Sequence, residues 1–471
     1  MPVPSRLRRL TTAALPAAAA LFLAACNTTY PNSVFTRHTD FNRDIAHLFD
    51  ILIWLGTAVF IFVEGILLYA IFRFRRRSES DRPEHVHGNT TLEILWTAIP
   101  ALILAFIAVP TVRTIFKTQA KARADALQVE VIGHQWWWEF RYPQYKITTA
   151  NELYMPIGRT VNFTLKSQDV IHSFWIPQLG GKRDVIANHP NYLWFTPDSL
   201  GEQAWNGMCV EYCGASHANM RFKAFTVTPA QFASWAAHQQ TPAAFGAVAP
   251  AAAAAPAAPA AAPGAAPAAT PGAAVPSAPP TVASAGGGAT SAANRAQAAA
   301  NAAGVSGPGD STAAPHDMAA MGAATVQQAG YVAFPREKLP AHVVPKTPFP
   351  AGLQFNDAIV GDAERGRAFV SAFKGGCAGC HTVNGNPTMQ AVMGPNLTHI
   401  ATRTTIAGGL YPNDTKHLSR WLKNARAMKP GIIMPTLGKG ELDPVTKVRV
   451  PATGLTDEQI ADIVAYLQAL K

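Results

Sequence analysis

"CVEYCGASHANM", residues 209–220, places two cysteines, a glutamate, a histidine and a methionine within twelve positions. Cys209 and Cys213 flank three residues, His217 follows four positions after the second, and Met220 three after that. Zinc could use the two thiolates and the imidazole, but it has little use for a thioether. Thiolate, imidazole and thioether together form a soft donor set that favours copper. A redox dithiol fits poorly, because the spacing is not C-x-x-C.

The surrounding chain decides how many ions such a loop could serve. Residues 127–236 read as short strands, "LQVEVIG", "WWWEFRYP", "TVNFTLKS", "HSFWIP", "NYLWFTP" and "RFKAFTVTP", separated by turns. Alternation with β-branched and aromatic enrichment predicts a β-sandwich or barrel. "DVIHSFWIPQLGGKRDV" contributes His172, which a β-sandwich can bring beside the 209–220 loop. Two histidines, two thiolates and a thioether exceed the needs of one tetrahedral ion. Bridging thiolates with one imidazole per metal would hold a pair of coppers, with Met220 and the Glu211 backbone carbonyl completing the shell. In "GHQWWWEF", a strand sends alternate side chains to opposite faces, so at least one of Trp136, Trp137 and Trp138 is expected in the core or an interface.

The 471-residue chain has five cysteines, Cys26, Cys209, Cys213, Cys377 and Cys380, a poor disulfide framework in which each has a better assignment. The net charge of +10 is spread out and partly sits in Arg73, Arg75, Arg76, Arg77 and Arg82. No aromatic-plus-basic stripe suggests a nucleic-acid partner.

Upstream, residues 1–26 carry Arg6, Arg8 and Arg9, then an apolar run ending in "LAAC" at Cys26, and read as a lipoprotein-type signal peptide. Two long apolar segments follow within 40–117, each meeting the ~20-residue requirement for a membrane helix. The arginine cluster between them puts that loop in the cytoplasm and everything after residue 116 outside it. Glu64 interrupts the first span, and Glu93 lies near the cytoplasmic end of the second. An intramembrane carboxylate is a functional candidate, although Glu93 is equally placed to reach interfacial water.

Downstream, 237–350 is an Ala/Pro-rich linker in which frequent prolines prevent an alanine helix, predicting a disordered tether. His316, Met318 and Met321 near its end carry no convincing metal pattern. Residues 351–471 contain "CAGCHTV", where Cys377, Cys380 and His381 read as covalent c-type haem attachment with an axial histidine. "KPGIIMPTLG" offers Met434 as the sixth ligand; Met428 is the nearby competitor, inside a helix predicted over 416–427. "GPNL" at 394–397 and the amphipathic "TDEQIADIVAYLQAL" complete a resemblance to class I cytochromes c, an all-α fold.

The pattern C-x-E-x-C-G-x-x-H-x-x-M, as Cys209, Glu211, Cys213, Gly214, His217 and Met220, resembles the binuclear copper-A loop of cytochrome c oxidase subunit II. His172 in "DVIHSFWIP", "GHQWWWEF" at 133–140 and the preceding helical hairpin resemble the same family. The resemblance implies a cupredoxin-like domain over 126–236 that passes electrons to haem a of subunit I. It implies that the Glu211 side chain reaches a magnesium ion at the subunit interface, that electrons enter through Trp136, and that Glu93 lies at the mouth of a proton channel. Met208 and Ala187 stand where the family usually has Gln and Pro, and neither is a ligand.

With its haem domain, the chain resembles subunit II of a caa3-type oxidase of the bacterial inner membrane, its soluble domains on the periplasmic or outer side. Subunits I and III are the implied partners, and a quinol–cytochrome c reductase or soluble cytochrome c the implied donor. A copper-A subunit of a nitric oxide reductase would share the sandwich but deliver electrons to a haem–iron site. A membrane-tethered copper carrier would not need the haem domain.

Overall fold

A computed structural model describes residues 32–75, 78, 87–120, 122, 124–198, 203–243, 333–372 and 376–471. The signal-peptide reading with Cys26, Arg76, Arg77 and Arg82 of the basic cluster, and residues 244–332 of the tether lie outside them.

Two long helices come first, α1 (Asp40–Arg73) and α2 (Thr90–Gln119), both long and apolar enough to cross a membrane. Thr39 starts α1 by accepting from the Asn42 amide at 2.9 Å, and Asn89 does the same for Leu92 at the start of α2. Trp54, Phe62 and Leu102 point outward, the pattern of a lipid-facing surface. The outer ends of the helices are bolted to the sandwich. Phe41 is buried in its core, Asp40 accepts from the Thr196 amide at 2.8 Å, and Arg43 pairs with both oxygens of Asp198 at 2.6 and 2.7 Å.

The sandwich is built from β1 (Leu127–His134), β2 (Trp137–Tyr142), β3 (Ile147–Ala150), β4 (Glu152–Pro156), β5 (Val161–Ser167), β6 (His172–Trp175), β7 (Arg183–Val185), β8 (Asn191–Phe195), β9 (Gln203–Cys209) and β10 (Arg221–Val227). One sheet runs β3-β2-β1-β5-β8 and the other β4-β10-β9-β6-β7. Trp138, Phe140, Phe163, Phe174 and Phe222 are buried in its core, with Phe174 stacked on Phe222 at 5.0 Å. That stacking needs Gly207: a Cβ there would sit 2.0 Å from the Phe222 ring. Helix α3 (Pro229–Gln239), with a Thr228/Gln231 capping box, closes the domain.

The C-terminal domain is a small helical fold of α4 (Ala363–Ser371), α5 (Thr415–Lys423), α6 (Ala425–Met428) and α7 (Asp457–Ala469), with a two-residue ribbon at Thr405–Ile406 and Tyr411–Pro412. Helices α4 and α7 cross closely at Gly366, where a Cβ would lie 2.1 Å from the Asp462 carbonyl. The helix predicted over 416–427 is two helices, broken where the Asn424 side chain caps the Ala427 amide at 3.0 Å.

Candidate functional site

The sheet register gathers the predicted metal ligands. Strands β9 and β10 pair antiparallel, Met208 opposite Arg221, so residues 210–220 form the loop between them. Strand β6 pairs with β9 with Phe174 opposite Cys209, bringing His172 alongside the first cysteine. The sulfurs of Cys209 and Cys213 lie 3.8 Å apart. His172 Nδ1 is 3.9 Å from Cys209 Sγ, and His217 Nδ1 is 3.6 Å from Cys213 Sγ. Met220 Sδ lies 3.9 Å from Cys213 Sγ, and the Glu211 carbonyl oxygen 3.3 Å from Cys209 Sγ. His172, Cys209, Cys213 and Met220 are buried, whereas the Glu211 side chain is exposed. Soft sulfur and imidazole donors around two thiols at this separation fit a pair of copper ions.

The donor cluster has neighbours that reading by motif overlooked. Asp169 Oδ1 accepts from His172 Nε2 at 2.8 Å, which fixes the ring with Nδ1 toward the sulfurs. Burial pushes the Asp169 carboxyl up, but hydrogen bonds from His172 and from the Gln135 and Val170 amides more than offset it, so the group stays below its ordinary value. Gly133 leaves room for the same imidazole, since a Cβ there would come within 2.6 Å of His172 Cδ2. Asp169→Ala frees that ring, and the expected outcome is a loss of copper affinity of about 10–100-fold, read by competition with a chelator. An unchanged affinity would mean that Asp169 does not orient the ligand. Asp169 was legible in "DVIHS", three residues before the histidine; Gly133 gave no signal in sequence.

Cys213 also connects outward. Its carbonyl accepts from the Trp136 indole N–H at 2.9 Å and from the Gln135 side chain at 2.8 Å. Trp138 is buried in the core, and Trp137 stacks on His134 at 4.2 Å. Met208 and Ala187 occupy strand-pairing positions, opposite Arg221 and Ser167.

The second site is a crevice in the helical domain, about 1580 Å³ of empty space with its mouth included. Cys377, Cys380, His381 and Met434 all line it, among apolar walls that include Leu397, Leu422 and Ile463. His381 Nδ1 donates to the Pro395 carbonyl at 2.8 Å, and burial lowers its pKa, which leaves a neutral Nε2 for an iron ion. These donors and walls fit a covalently held haem. Met428 is buried elsewhere in the domain core, its carbonyl accepting from the Tyr411 hydroxyl at 3.0 Å, and is not among the described residues that line the crevice. The sandwich supplies part of the wall: Trp136, Trp137, Ala150 and Asn151 face the same space.

Elsewhere, Glu93 is exposed in the first turn of α2, and Glu64 lies in the second half of α1.

Comparison with known proteins gives three matches in chain order. Residues 38–114 match the cytochrome c oxidase subunit II transmembrane domain, 146–227 its periplasmic domain, and 363–471 cytochrome c. A probable cytochrome c oxidase subunit 2 of Rickettsia bellii is 31% identical over 218 residues, which cover 42% of this chain and 80% of that one. The chain belongs to the cytochrome c oxidase subunit II family. The subunit 2 of Alkalihalophilus pseudofirmus is 39% identical over 182 residues, covering 36% of this chain and 53% of that one. That of Synechocystis is 32% identical over 238 residues, 40% of this chain and 70% of that one. The chain thus spans about half the length of the Alkalihalophilus pseudofirmus relative. As a subunit II with two membrane helices and a periplasmic β-sandwich, it carries in addition a C-terminal cytochrome c domain.

Proposed function

We propose that this chain is the electron-input subunit of a caa3-type cytochrome c oxidase. When bound, a haem c in the C-terminal crevice and a copper pair in the sandwich supply one-electron redox chemistry that feeds a haem–copper subunit reducing dioxygen and pumping protons. Cys377 and Cys380 would attach the haem, with His381 and Met434 as its ligands. Cys209, Cys213, His172, His217, Met220 and the Glu211 carbonyl would hold the coppers. The observation that carries this reading is that the haem crevice is walled by Trp136, whose indole is hydrogen bonded to Cys213. Trp136 thereby joins the two sites through one aromatic ring and one peptide carbonyl.

The exposed Glu211 carboxylate would be a ligand for a magnesium ion at the contact with subunit I. Subunit III and an upstream donor, a quinol–cytochrome c reductase or a soluble cytochrome c, complete the assembly in the bacterial inner membrane. Glu93 serves proton uptake from the cytoplasmic side. Glu93→Gln then slows oxidase turnover and leaves both redox spectra unaltered; unchanged turnover would return it to an interfacial residue.

Purified oxidase containing this subunit tests the reading by metal analysis and electron paramagnetic resonance. Two coppers per sandwich with the spectrum of a shared electron are expected. A four-line signal from one isolated copper would end the pair.

A further inference from the structure

The chain crosses between its two soluble domains in an unusual order. After α3, Ala243 is fully buried in the core of the cytochrome c domain, its amide donating to the Asn384 carbonyl at 3.2 Å, and the Thr241 carbonyl accepts from His399 at 3.0 Å. Phe334, Leu339 and Val343, by contrast, pack on the sandwich core, while Arg336 between them donates to the Arg403 and Asn413 carbonyls of the cytochrome c domain. Phe334 packs on Phe225 at 4.8 Å, Val343 is fully buried, and its carbonyl accepts from Lys223 at 2.6 Å. The chain flanking the Ala/Pro-rich segment is therefore seated on the opposite domain at each end.

The facing surfaces add a second set of contacts. Lys429, on the haem-crevice loop, is buried and donates to the Trp136 carbonyl at 2.6 Å and to Ala407 at 3.1 Å. Gly431 lies flat against the sandwich, where a Cβ would come within 2.8 Å of Ala215 and 3.3 Å of the Trp136 ring. Its φ of +90° also favours glycine. On the sandwich, Glu152 is buried and accepts from the Thr404 amide and hydroxyl at 2.7 and 2.6 Å and from the Thr405 amide at 3.3 Å. Ala425 and Ile432 join the sandwich's own apolar core.

We propose that these contacts form a built clasp holding the cytochrome c domain docked, with Lys429 and Glu152 as positioning residues that set the haem crevice against Trp136. The inference rests on the proposed function for its purpose, though not for its geometry. Two physical consequences follow. Lys429 and Glu152 are buried and bonded to neutral dipoles, so salt, which screens exposed charges, has little to act on. The strap also shortens the tether. From Val343 on the sandwich to Phe349, which packs on the cytochrome core, is six residues, a span of at most about 20 Å when extended. A donor confined to that radius re-docks far faster than one on a long free chain.

Hydrogen exchange in the full-length oxidase, read on peptides containing Trp136 and residues 429–433, tests this. Protection is expected to be the same at low and at molar salt. Val343→Asp, which unseats the strap, combined with Lys429→Met is expected to raise exchange on both faces by at least tenfold while haem and copper spectra stay unchanged. Lys429→Met alone, with the strap intact, is expected to raise it less. Protection lost from the unmodified protein in molar salt, or retained in full by the double variant, would overturn the clasp. Protection that persists while the copper pair is not reduced by the attached haem would uphold the clasp and remove the electron-transfer reading instead.

Discussion

Cys213→Ser is expected to abolish the copper pair and, with it, oxidase turnover. Cys213 Sγ is the hub of the cluster, within 3.6 to 3.9 Å of Cys209, His217 and Met220 sulfur or nitrogen. The neighbouring thiol and His172 hold the Cys209 thiol down, while Cys209 and burial push Cys213 up. A copper pair would need both sulfurs as soft thiolates. Serine offers a hard, weakly acidic oxygen in place of the second. The haem absorbance should be normal, the shared-electron resonance absent, and electrons should stop at the haem. A variant that keeps the resonance would show that the second sulfur does not bridge.

Met434→Ala is expected to leave haem attached through Cys377 and Cys380 but to remove the sulfur-to-iron band in the red part of the spectrum. Loss of a thioether ligand lowers the haem potential. Every ~59 mV of that fall makes reduction by a given donor tenfold less favourable. Met428→Ala, away from the crevice wall, is expected to keep the band at some cost in stability. If Met428→Ala loses it instead, the ligand assignment is wrong.

Much of this was legible because ligands are encoded locally. The Cys209–Met220 loop and the Cys377–His381 motif carry their chemistry in spacing alone, and the period-two alternation marked β1, β2, β5, β6, β8 and β10. Strands β3, β4, β7 and β9 escaped that reading. Ile147–Ala150 and Glu152–Pro156 are split by Asn151 in the left-handed region, φ +59°, and Arg183–Val185 is only three residues long. Strand β9 contains Gly207, which looks like a breaker until Phe222 is seen to lie over it. The domain contacts were illegible for a different reason. Lys429, Glu152 and Phe334 meet partners distant in sequence, and nothing in a lone lysine before a proline or a phenylalanine beyond an alanine-rich run announces an interface.

The central claim, that the attached haem feeds the copper pair of its own molecule through Trp136, is tested most directly by the rate of copper reduction at several enzyme dilutions. Full-length oxidase is given a limiting reductant that reaches the haem first, and the copper absorbance is followed. A rate constant independent of enzyme concentration is predicted, because donor and acceptor share one chain and one interface. A rate that falls in proportion to dilution would contradict it.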